Sequence, residues 1–202
     1  MGEIKLLSKL YSNINSKPRF VGNSTRSIKN RILALDRTKE FFDGDRSNGY
    51  GGYKYDGRWS ILAKALISKY NLNNKSSILH INSEKGYLLY ELKKIIPTLD
   101  IQGYETSSYA ISKTHKDIKK KITKVNNYLE IDIPKKKIDL TIAIGVVYSY
   151  SLKDASKMIK ILNKISKLSF ITIASYTTLN EYLLFKNWSL LGTLILKENE
   201  WK

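Results

Sequence analysis

The chain has 202 residues, of which 42% are hydrophobic, and it carries a formal net charge of +17. This apolar content is enough to bury one core, so the composition excludes a disordered tail and predicts a domain of moderate size. The absence of cysteine excludes disulfides, zinc–thiolate sites, iron–sulfur clusters and cysteine nucleophiles, and His80 and His115 are too few for a histidine-rich metal site. Metal chemistry would rest on carboxylates, and we predict no metal site.

The sequence has no segment typical of a membrane or secreted protein. The longest apolar runs, such as residues 140–148, span about nine residues, whereas a membrane helix needs about 20. The first ten residues alternate charged and apolar side chains and lack the apolar stretch of a signal peptide. We therefore expect no membrane span and a cytoplasmic protein.

The positive charge is concentrated in two segments. Residues 1–40 and residues 112–137 each hold nine basic and three acidic residues. Clustered lysines attract nucleic acid because they release counterions from the phosphate backbone. A solvated lysine-rich face that reflects AT-rich coding is the alternative, since only six of the 35 basic residues are arginine. Nucleic acid therefore remains a possible partner.

The first 58 residues divide into two predicted segments. Residues 1–42 form a basic N-terminal arm that ends in a helix, because Ser27 to Glu40 can place Ile28, Ile32 and Leu35 on one helical face. Residues 43–58 are rich in tyrosine and glycine, a composition that no regular element tolerates. We interpret this second segment as a lid.

Residues 59–202 alternate helical and strand patterns, which predicts an α/β domain. The predicted helices are 59–70, 87–96, 107–121, 154–166 and 181–191, and the predicted strands are 77–81, 100–104, 122–126, 138–144 and 169–174. Such alternation favours a Rossmann-like, doubly wound and mainly parallel sheet with helices on both faces. Ligands of such sheets bind outside the carboxyl ends of the strands, so the polar turns after each strand are the candidate site.

Several strings of this sequence resemble a known family. They are DGDRSNGYGGYKYDGRW at 43–59, ILHINSEKGYLLYEL at 78–92, IQGYETSSYAI at 101–111, IDLTIAIGVVYSY at 138–150, SFITIASY at 169–176 and LLFKNWSLLGTLILKENEW at 183–201. Together they resemble the class I S-adenosylmethionine-dependent methyltransferases, and in particular a bacterial group with a DGDR, YGYGGY and YDGRW lead-in. The resemblance covers about residues 40–201 and implies S-adenosylmethionine as cofactor.

The glycine-rich turn that the family places after its first strand is degenerate here. His80 stands at the acidic position, Asn82 and Glu84 replace the two leading glycines, and Gly86 is retained. In the family, glycine is used because the cofactor approaches the backbone too closely for a Cβ atom. The added carboxylate of Glu84 would either repel the methionine carboxylate of the cofactor or contact its ammonium group.

The resemblance also assigns residues to the rest of the cofactor. Glu105 ends the second strand, where the family uses a carboxylate to accept both ribose hydroxyl groups. Asn126 and Asn127 can reach the adenine edge, although paired asparagines at a strand end are also typical of turns. The predicted cofactor-binding residues are His80, Asn82, Ser83, Glu84, Gly86, Glu105, Asn126, Asn127, Gly145 and Val146.

The lead-in supplies the candidate catalytic and lid residues. Acidic or hydroxyl groups that can serve as a base or anchor are Asp43, Asp45, Asp56 and Tyr50. Arginine and aromatic side chains that can hold a substrate are Arg46, Tyr53, Tyr55, Arg58, Trp59 and Tyr148. The alternative is that arginines and aspartates of the lead-in form a network that pins this segment to the sheet.

The C-terminal segment leaves little room for the antiparallel hairpin that usually completes the family's sheet. We expect a shortened hairpin and an exposed edge on the fifth strand, which the N-terminal arm or a partner chain would cover. The predicted function is a methyltransferase for a small-molecule or saccharide-like acceptor. The alternatives are a catalytically lapsed relative that binds a partner or anionic ligand through its lysine-rich faces and, third, a nucleic-acid methyltransferase.

Overall fold

A computed structural model of the chain describes residues 26–202. Its centre is a parallel sheet of five strands in the order β3-β2-β1-β4-β5. The strands are β1 (Ser77–Ile81), β2 (Asp100–Glu105), β3 (Ile122–Lys124), β4 (Leu140–Ala143) and β5 (Leu168–Ile171). The order reverses between β1 and β4, and at such a switch point the loops diverge and leave a crevice at the carboxyl ends of the strands.

Eight helices of the described region surround or precede the sheet. They are α1 (Ile28–Leu35), α2 (Lys39–Asp43), α3 (Trp59–Tyr70), α4 (Tyr87–Ile95), α5 (Ser108–Ser112), α6 (Lys116–Lys119), α7 (Leu152–Ile165) and α8 (Leu179–Trp188). Short 3₁₀ helices lie at Tyr128–Glu130, Val147–Ser149 and Glu198–Trp201. None of the helices in residues 26–202 is long and apolar enough to cross a membrane.

The core has one layer on each face of the sheet because β1 is buried on both sides. Ile78 packs with Leu62 and Leu66 of α3 and with α4 on one face. On the other face, Leu79 and Ile81 pack with α7. Strand side chains alternate between faces, so His80 shares the face of Ile78. The predicted α/β class, with helices on both faces of a parallel sheet, is confirmed.

The helix ends follow from local sequence. The hydroxyl of Ser151 accepts a hydrogen bond from the Asp154 N–H and begins α7, and Thr178 and Glu181 form a capping box that begins α8. Asn71 adopts a left-handed conformation directly after α3 and ends that helix. These positions agree within a few residues with the helices predicted from the sequence.

Two predicted helices are broken in the structure. The helix predicted over 27–40 is interrupted at Arg37, whose φ of 47° cannot continue a right-handed helix, and a second helix begins at Lys39. The helix predicted over 107–121 becomes α5 and α6, because the side chain of His115 caps a new helix. The apolar residues predicted to share one face of the first helix, Ile28, Ile32 and Leu35, are exposed.

The C-terminal region forms two short strands that lie outside the main sheet. β6 (Ser175–Tyr176) and β7 (Leu196–Lys197) pair with each other in parallel and form a separate two-stranded sheet. In residues 26–202, β5 is therefore the edge of the main sheet, as the expected shortening of the hairpin implies. The first 25 residues of the predicted N-terminal arm, which we expected to cover this edge, lie outside the described residues.

Candidate functional site

The loop after β1 keeps the backbone shape of a glycine-rich turn. Asn82, Glu84 and Gly86 have φ angles of 65°, 53° and 75°. These are the three positions at which the resembled family has glycine, and each adopts the left-handed conformation that glycine favours. Asparagine tolerates this conformation, whereas glutamate carries a strain of about 1 kcal/mol or more. All three positions that the resemblance assigns to glycine are therefore left-handed in this loop.

Asn82 joins the ends of the two central strands. Its side-chain amide donates a hydrogen bond of 2.8 Å to the Ile144 carbonyl after β4. Its Oδ1 accepts a hydrogen bond of 3.3 Å from the Tyr128 hydroxyl group. The neighbouring Gly145, at φ 74°, donates its N–H to the Thr172 hydroxyl at 2.8 Å. The Asn82 side chain thus bridges the opening of the crevice between β1 and β4.

Gly86 is required for steric reasons. A Cβ atom at this position would lie 2.7 Å from Cδ1 of Ile118. The residue starts α4 in a left-handed conformation, and the preceding Ser83 donates its N–H to the Tyr104 carbonyl at 3.1 Å. The turn is consequently packed closely against β2 and α6.

Glu105 ends β2 and is completely buried. One carboxylate oxygen accepts a hydrogen bond from the Ser107 N–H at 2.8 Å and lies 3.3 Å from the Tyr128 hydroxyl oxygen, whose one hydrogen is shared between Glu105 and Asn82. The other accepts the Glu84 N–H at 2.6 Å. Glu105 therefore holds the loop after β1 and the turn after β2 together.

Arg37 reaches the same carboxylate from the connection between α1 and α2. Its Nη2 atom lies 3.4 Å and 3.5 Å from the two oxygens of Glu105 and 3.8 Å from Oε1 of Glu84. Burial acts to lower the pKa of Arg37, but Glu105, Tyr128 and Glu84 outweigh it and raise the pKa above its ordinary value. The guanidinium group is therefore charged and balances two carboxyl groups.

Glu84 sits beside this pair with its carboxyl group covered by the tyrosine-rich segment. The Tyr50 hydroxyl donates a hydrogen bond of 2.6 Å to Oε1 of Glu84. Burial raises the pKa of Glu84, and Arg37 and Tyr50 oppose this effect without cancelling it. The Tyr50 ring stacks on Tyr53 with centroids 4.5 Å apart. Tyr50, predicted as catalytic, is thus next to the loop and in contact with it.

A buried ion pair attaches the tyrosine-rich segment to the same loop. Nζ of Lys85 lies 2.8 Å and 2.7 Å from the two oxygens of Asp43 and 2.7 Å from the Tyr53 carbonyl. The Tyr109 hydroxyl donates to Asp43 as well, at 2.7 Å. Burial acts to raise the pKa of Asp43, but the hydrogen bonds from Lys85 and Tyr109 lower it below its ordinary value. Asp43 is therefore an ionised anchor of this segment.

The other acidic and arginine candidates of the segment make local contacts. The Asp45 carboxylate accepts hydrogen bonds from the Ser47 N–H and hydroxyl groups at 2.7 Å and 2.6 Å. Asp56 pairs with Arg58, whose Nε lies 2.6 Å from Oδ2. Arg46 donates to the Gly49 and Tyr50 carbonyls at 2.8 Å and 2.9 Å and so shapes the loop that carries Tyr50.

The remaining predicted cofactor residues differ in position. His80 is buried in β1, its two ring nitrogens have no hydrogen-bond partner among residues 26–202, and burial lowers its pKa to about 3. Asn127 caps a 3₁₀ helix by accepting the Leu129 N–H at 2.9 Å, which is the turn role considered for it. Asn126 is exposed, and Val146 is buried in the core.

The remaining lid candidates lie around the rim and in the core. Trp59 begins α3 and is buried in the core. Tyr55 is exposed and donates its hydroxyl hydrogen to Glu91. Tyr148 packs edge to face on Phe185 of α8 with ring centroids 5.7 Å apart, and its hydroxyl group lies 3.8 Å from where a Cβ on Gly145 would stand. Tyr148 therefore connects the loop after β4 with α8.

Three residues of the site were missed from the sequence. Arg37, Lys85 and Tyr128 form the contacts that close the site, yet none stands in a motif. Lys85 could have been identified as a site residue from the sequence, because it lies inside the turn between Glu84 and Gly86. Arg37 and Tyr128 reach Glu105 through tertiary packing, which no sequence spacing indicates.

No family model matches the chain, and the search of curated proteins found no relative. Solved structures do match in fold. Magnesium protoporphyrin IX methyltransferase (ChlM) from Synechocystis PCC 6803, solved with bound SAH, has a TM-score of 0.54 at 16% identity, covering 89% of this chain and 75% of that one. The small RNA methyltransferase HEN1 has a TM-score of 0.55 at 19% identity, over 68% of this chain and 19% of its own.

The YcgJ protein from Bacillus subtilis also matches, with a TM-score of 0.53 at 12% identity over 69% of this chain and 63% of that one. This chain thus spans less than two thirds of the length of both HEN1 and YcgJ. At these identities the similarity concerns the fold. The chain has the Rossmann-like α/β fold of class I methyltransferases.

Proposed function

We propose that the protein is a methyltransferase that uses S-adenosylmethionine. The observation that carries this proposal is the loop 82–86, which keeps three left-handed residues beside the buried carboxylate of Glu105. Strain at Glu84 is retained in this loop, and strained residues persist where the surrounding structure needs their conformation. The fold similarity to two named methyltransferases supports the same conclusion.

The residues present fit this cofactor in shape. Glu105 offers two oxygens that match the vicinal hydroxyl groups of a ribose, and the left-handed residues 82, 84 and 86 bring the backbone of the turn beside it. The N–H groups at the start of α4 and the rim residues Tyr50 and Tyr148 are the further candidates for holding it. When bound, S-adenosylmethionine supplies an electrophilic methyl group to an acceptor nucleophile, and the protein contributes positioning and exclusion of water.

We propose a small-molecule or saccharide-like acceptor with a hydroxyl, amine or carboxyl group. The support is the tyrosine- and glycine-rich segment, which reaches the loop through Tyr50 and Glu84 at 2.6 Å and through Asp43 and Lys85 at 2.7 Å. A segment held this closely favours a ligand small enough to be covered by it. The named neighbours act on a porphyrin and on a small RNA, so fold similarity is compatible with either acceptor class.

Calorimetric titration with S-adenosylmethionine and with S-adenosylhomocysteine tests the cofactor. We expect binding in the micromolar range. Glu105→Gln should weaken binding by about tenfold or more, because one of the two acceptor oxygens is lost. Asp132→Asn, an exposed acidic residue, is the matched control and should leave the affinity unchanged. Equal affinity of wild type and Glu105→Gln would contradict the assignment of Glu105 to the ribose.

A second candidate is a methyltransferase-like protein that has lost its cofactor and binds a partner or anionic ligand through its lysine-rich faces. The observation that favours it is the saturation of Glu105, whose oxygens accept hydrogen bonds from Ser107, Glu84 and Tyr128 and also contact Arg37. The same titration separates the two candidates. Absence of heat and of a thermal shift at millimolar ligand would favour the second.

A further inference from the structure

Arg37 is held in an unusual way at the centre of the candidate site. Its backbone is left-handed, with φ at 47°, which is uncommon for a residue other than glycine. The Ser107 hydroxyl donates a hydrogen bond to the Arg37 carbonyl. This contact fixes the connection between α1 and α2 against the turn after β2, so the side chain projects toward Glu105.

The guanidinium group uses the acceptor capacity that a bound ribose would need. A carboxylate offers about four lone-pair directions. On Glu105, the N–H groups of Ser107 and Glu84 and the Tyr128 hydroxyl already donate to the oxygens, and Nη2 of Arg37 lies 3.4 Å and 3.5 Å from them. Arg37 covers the remaining acceptor direction, so a hydroxyl group of the ribose diol can donate to it only after Arg37 has moved away.

The contacts of Arg37 are incomplete, which makes this movement feasible. Nε of Arg37 is buried and has no hydrogen-bond partner among residues 26–202. The distances of Nη2 to Glu105 and to Glu84, at 3.4 Å to 3.8 Å, exceed those of a close charged hydrogen bond. The guanidinium group lies over the rings of Phe41 and Phe42, at 5.2 Å and 5.3 Å from their centroids. Arg37 is therefore enclosed, but it is not fully satisfied.

We propose that Arg37 competes with the ribose diol of the cofactor for Glu105 and thereby sets the cofactor affinity of this site. This inference rests on the proposed function. A site that is open for only a fraction of the time binds its ligand more weakly by that fraction. Removal of the competing guanidinium group should raise the affinity rather than lower it, which is the opposite of what a ligand-binding arginine would show.

Titration of S-adenosylhomocysteine into the full-length Arg37→Met variant tests the proposal. We expect the Kd to fall by at least about tenfold relative to wild type. Arg31→Met is the matched control: Arg31 also ties α1 to the body of the protein, through the Ser189 and Leu190 carbonyls at 3.1 Å and 2.9 Å, and it touches neither carboxylate. Its Kd should equal that of wild type.

Arg37→Met leaves two carboxyl groups without their cation, so its folding is checked by circular dichroism before titration. If Arg37→Met does not fold, Arg37→Lys is titrated instead. Lysine keeps the charge but lacks the planar guanidinium group, so the Kd of this variant should fall by about threefold.

Unchanged or weaker binding by the folded variants, with wild type binding, overturns this proposal and leaves the proposed function standing. Absence of binding by wild type and by every folded variant overturns both. Binding by Arg37→Met alone supports the competition and contradicts cofactor use by the wild-type protein.

Discussion

At the scale of single residues, the two left-handed positions of the loop 82–86 that are not glycine have opposite energetic character. The Glu84 carboxyl group accepts a hydrogen bond from Tyr50 and lies 3.8 Å from Arg37, but the residue carries backbone strain and burial raises the pKa of its carboxyl group. Asn82 is of a residue type that tolerates the conformation, and its side chain makes contacts of 2.8 Å and 3.3 Å that bridge the crevice. The same substitution at the two positions should therefore have opposite effects on stability.

We expect Glu84→Gly to raise the free energy of unfolding by about 1 kcal/mol, because release of the backbone strain and removal of a buried carboxyl group together exceed the loss of the contacts with Tyr50 and Arg37. Asn82→Gly should lower it by about 1 to 2 kcal/mol through two lost hydrogen bonds. Urea denaturation of both variants measures the two changes. A stability loss for Glu84→Gly would mean that its carboxyl group contributes more as a partner of Arg37 and Tyr50 than it costs.

Because burial lowers the pKa of His80, the free energy of unfolding should depend on pH. Its pKa is about 3 in the folded protein, against 6.5 for an ordinary histidine. Between these values the unfolded chain binds the additional proton, so stability falls as the pH decreases from about 6.5 toward 3. The expected slope approaches about 1.4 kcal/mol per pH unit, and the loss between pH 7 and pH 5 is about 2 kcal/mol.

The variant His80→Leu isolates this contribution from that of the carboxylates. It removes the titrating group and fills the same buried position with an apolar side chain of similar size. Denaturant titrations of wild type and variant at pH 7 and pH 5 should show the difference between the two proteins widening by about 2 kcal/mol at the lower pH. A constant difference would mean that the imidazole ring is hydrated or paired in solution.

Whether a residue of the candidate site could be predicted from the sequence depends on how far along the chain its contacts lie. Gly86 and Glu105 follow predicted strands directly, so their place at the carboxyl ends of the sheet could be inferred. Arg37 is separated from Glu105 by 68 positions, and its left-handed backbone depends on a contact with Ser107. Such a pairing arises from tertiary packing, and the local sequence of Arg37 favours a continuous helix instead.

At the scale of elements, the segment from 44 to 58 contains no helix or strand, although all of it lies in the described region. Its attachment depends on side chains. Lys85 is nearly completely buried, with 4% of its side chain exposed, while 23% of the Asp43 side chain is exposed. This ion pair joins the end of α2 to the loop after β1, as the alternative of a pinning network anticipated, although a lysine takes the place expected for an arginine.

We expect Asp43→Asn to lower the free energy of unfolding by about 2 kcal/mol, because it leaves the Lys85 charge buried without its counterion. Asp45→Asn is the matched control, since Asp45 accepts hydrogen bonds from Ser47 in a surface turn, and it should leave the free energy of unfolding nearly unchanged. Thermal unfolding of the three proteins gives the comparison. Equal effects would contradict the anchoring role of Lys85.

The bounds of the helices and strands were predicted correctly where the local apolar pattern determines them, and wrongly where other contacts determine them. Ser77–Ile81 and Trp59–Tyr70 have the predicted bounds, because the apolar pattern and its flanking residues agree. The helix predicted over 107–121 is divided because Lys113 ends α5 and His115 caps α6. β3, β4 and β5 are each two or three residues shorter than predicted, because the patterns that predicted them extend beyond the residues that pair in the sheet.

At the scale of the whole molecule, the lysines of residues 112–137 are not gathered around the crevice. The lysines of residues 112–137 are exposed. Those of the first group, from Lys113 to Lys124, lie on α5, α6 and β3 at one edge of the sheet, whereas Lys135, Lys136 and Lys137 precede β4. Lys136 pairs with Asp100 at the start of β2, so this second group lies at the end of the sheet opposite to Glu105. Within residues 26–202, these lysines therefore form no continuous track that leads a polyanion into the site.

The charge distribution therefore predicts weak and non-specific binding of nucleic acid. Fluorescence anisotropy with two single-stranded oligonucleotides of unrelated sequence should give similar affinities for both. The affinity should fall by at least about tenfold between 50 mM and 200 mM salt, because each phosphate contact releases a counterion. A clear preference for one sequence that persists at 200 mM salt would contradict this expectation. It would favour a nucleic-acid acceptor over the small-molecule acceptor that the close contact of the tyrosine-rich segment with the loop 82–86 supports.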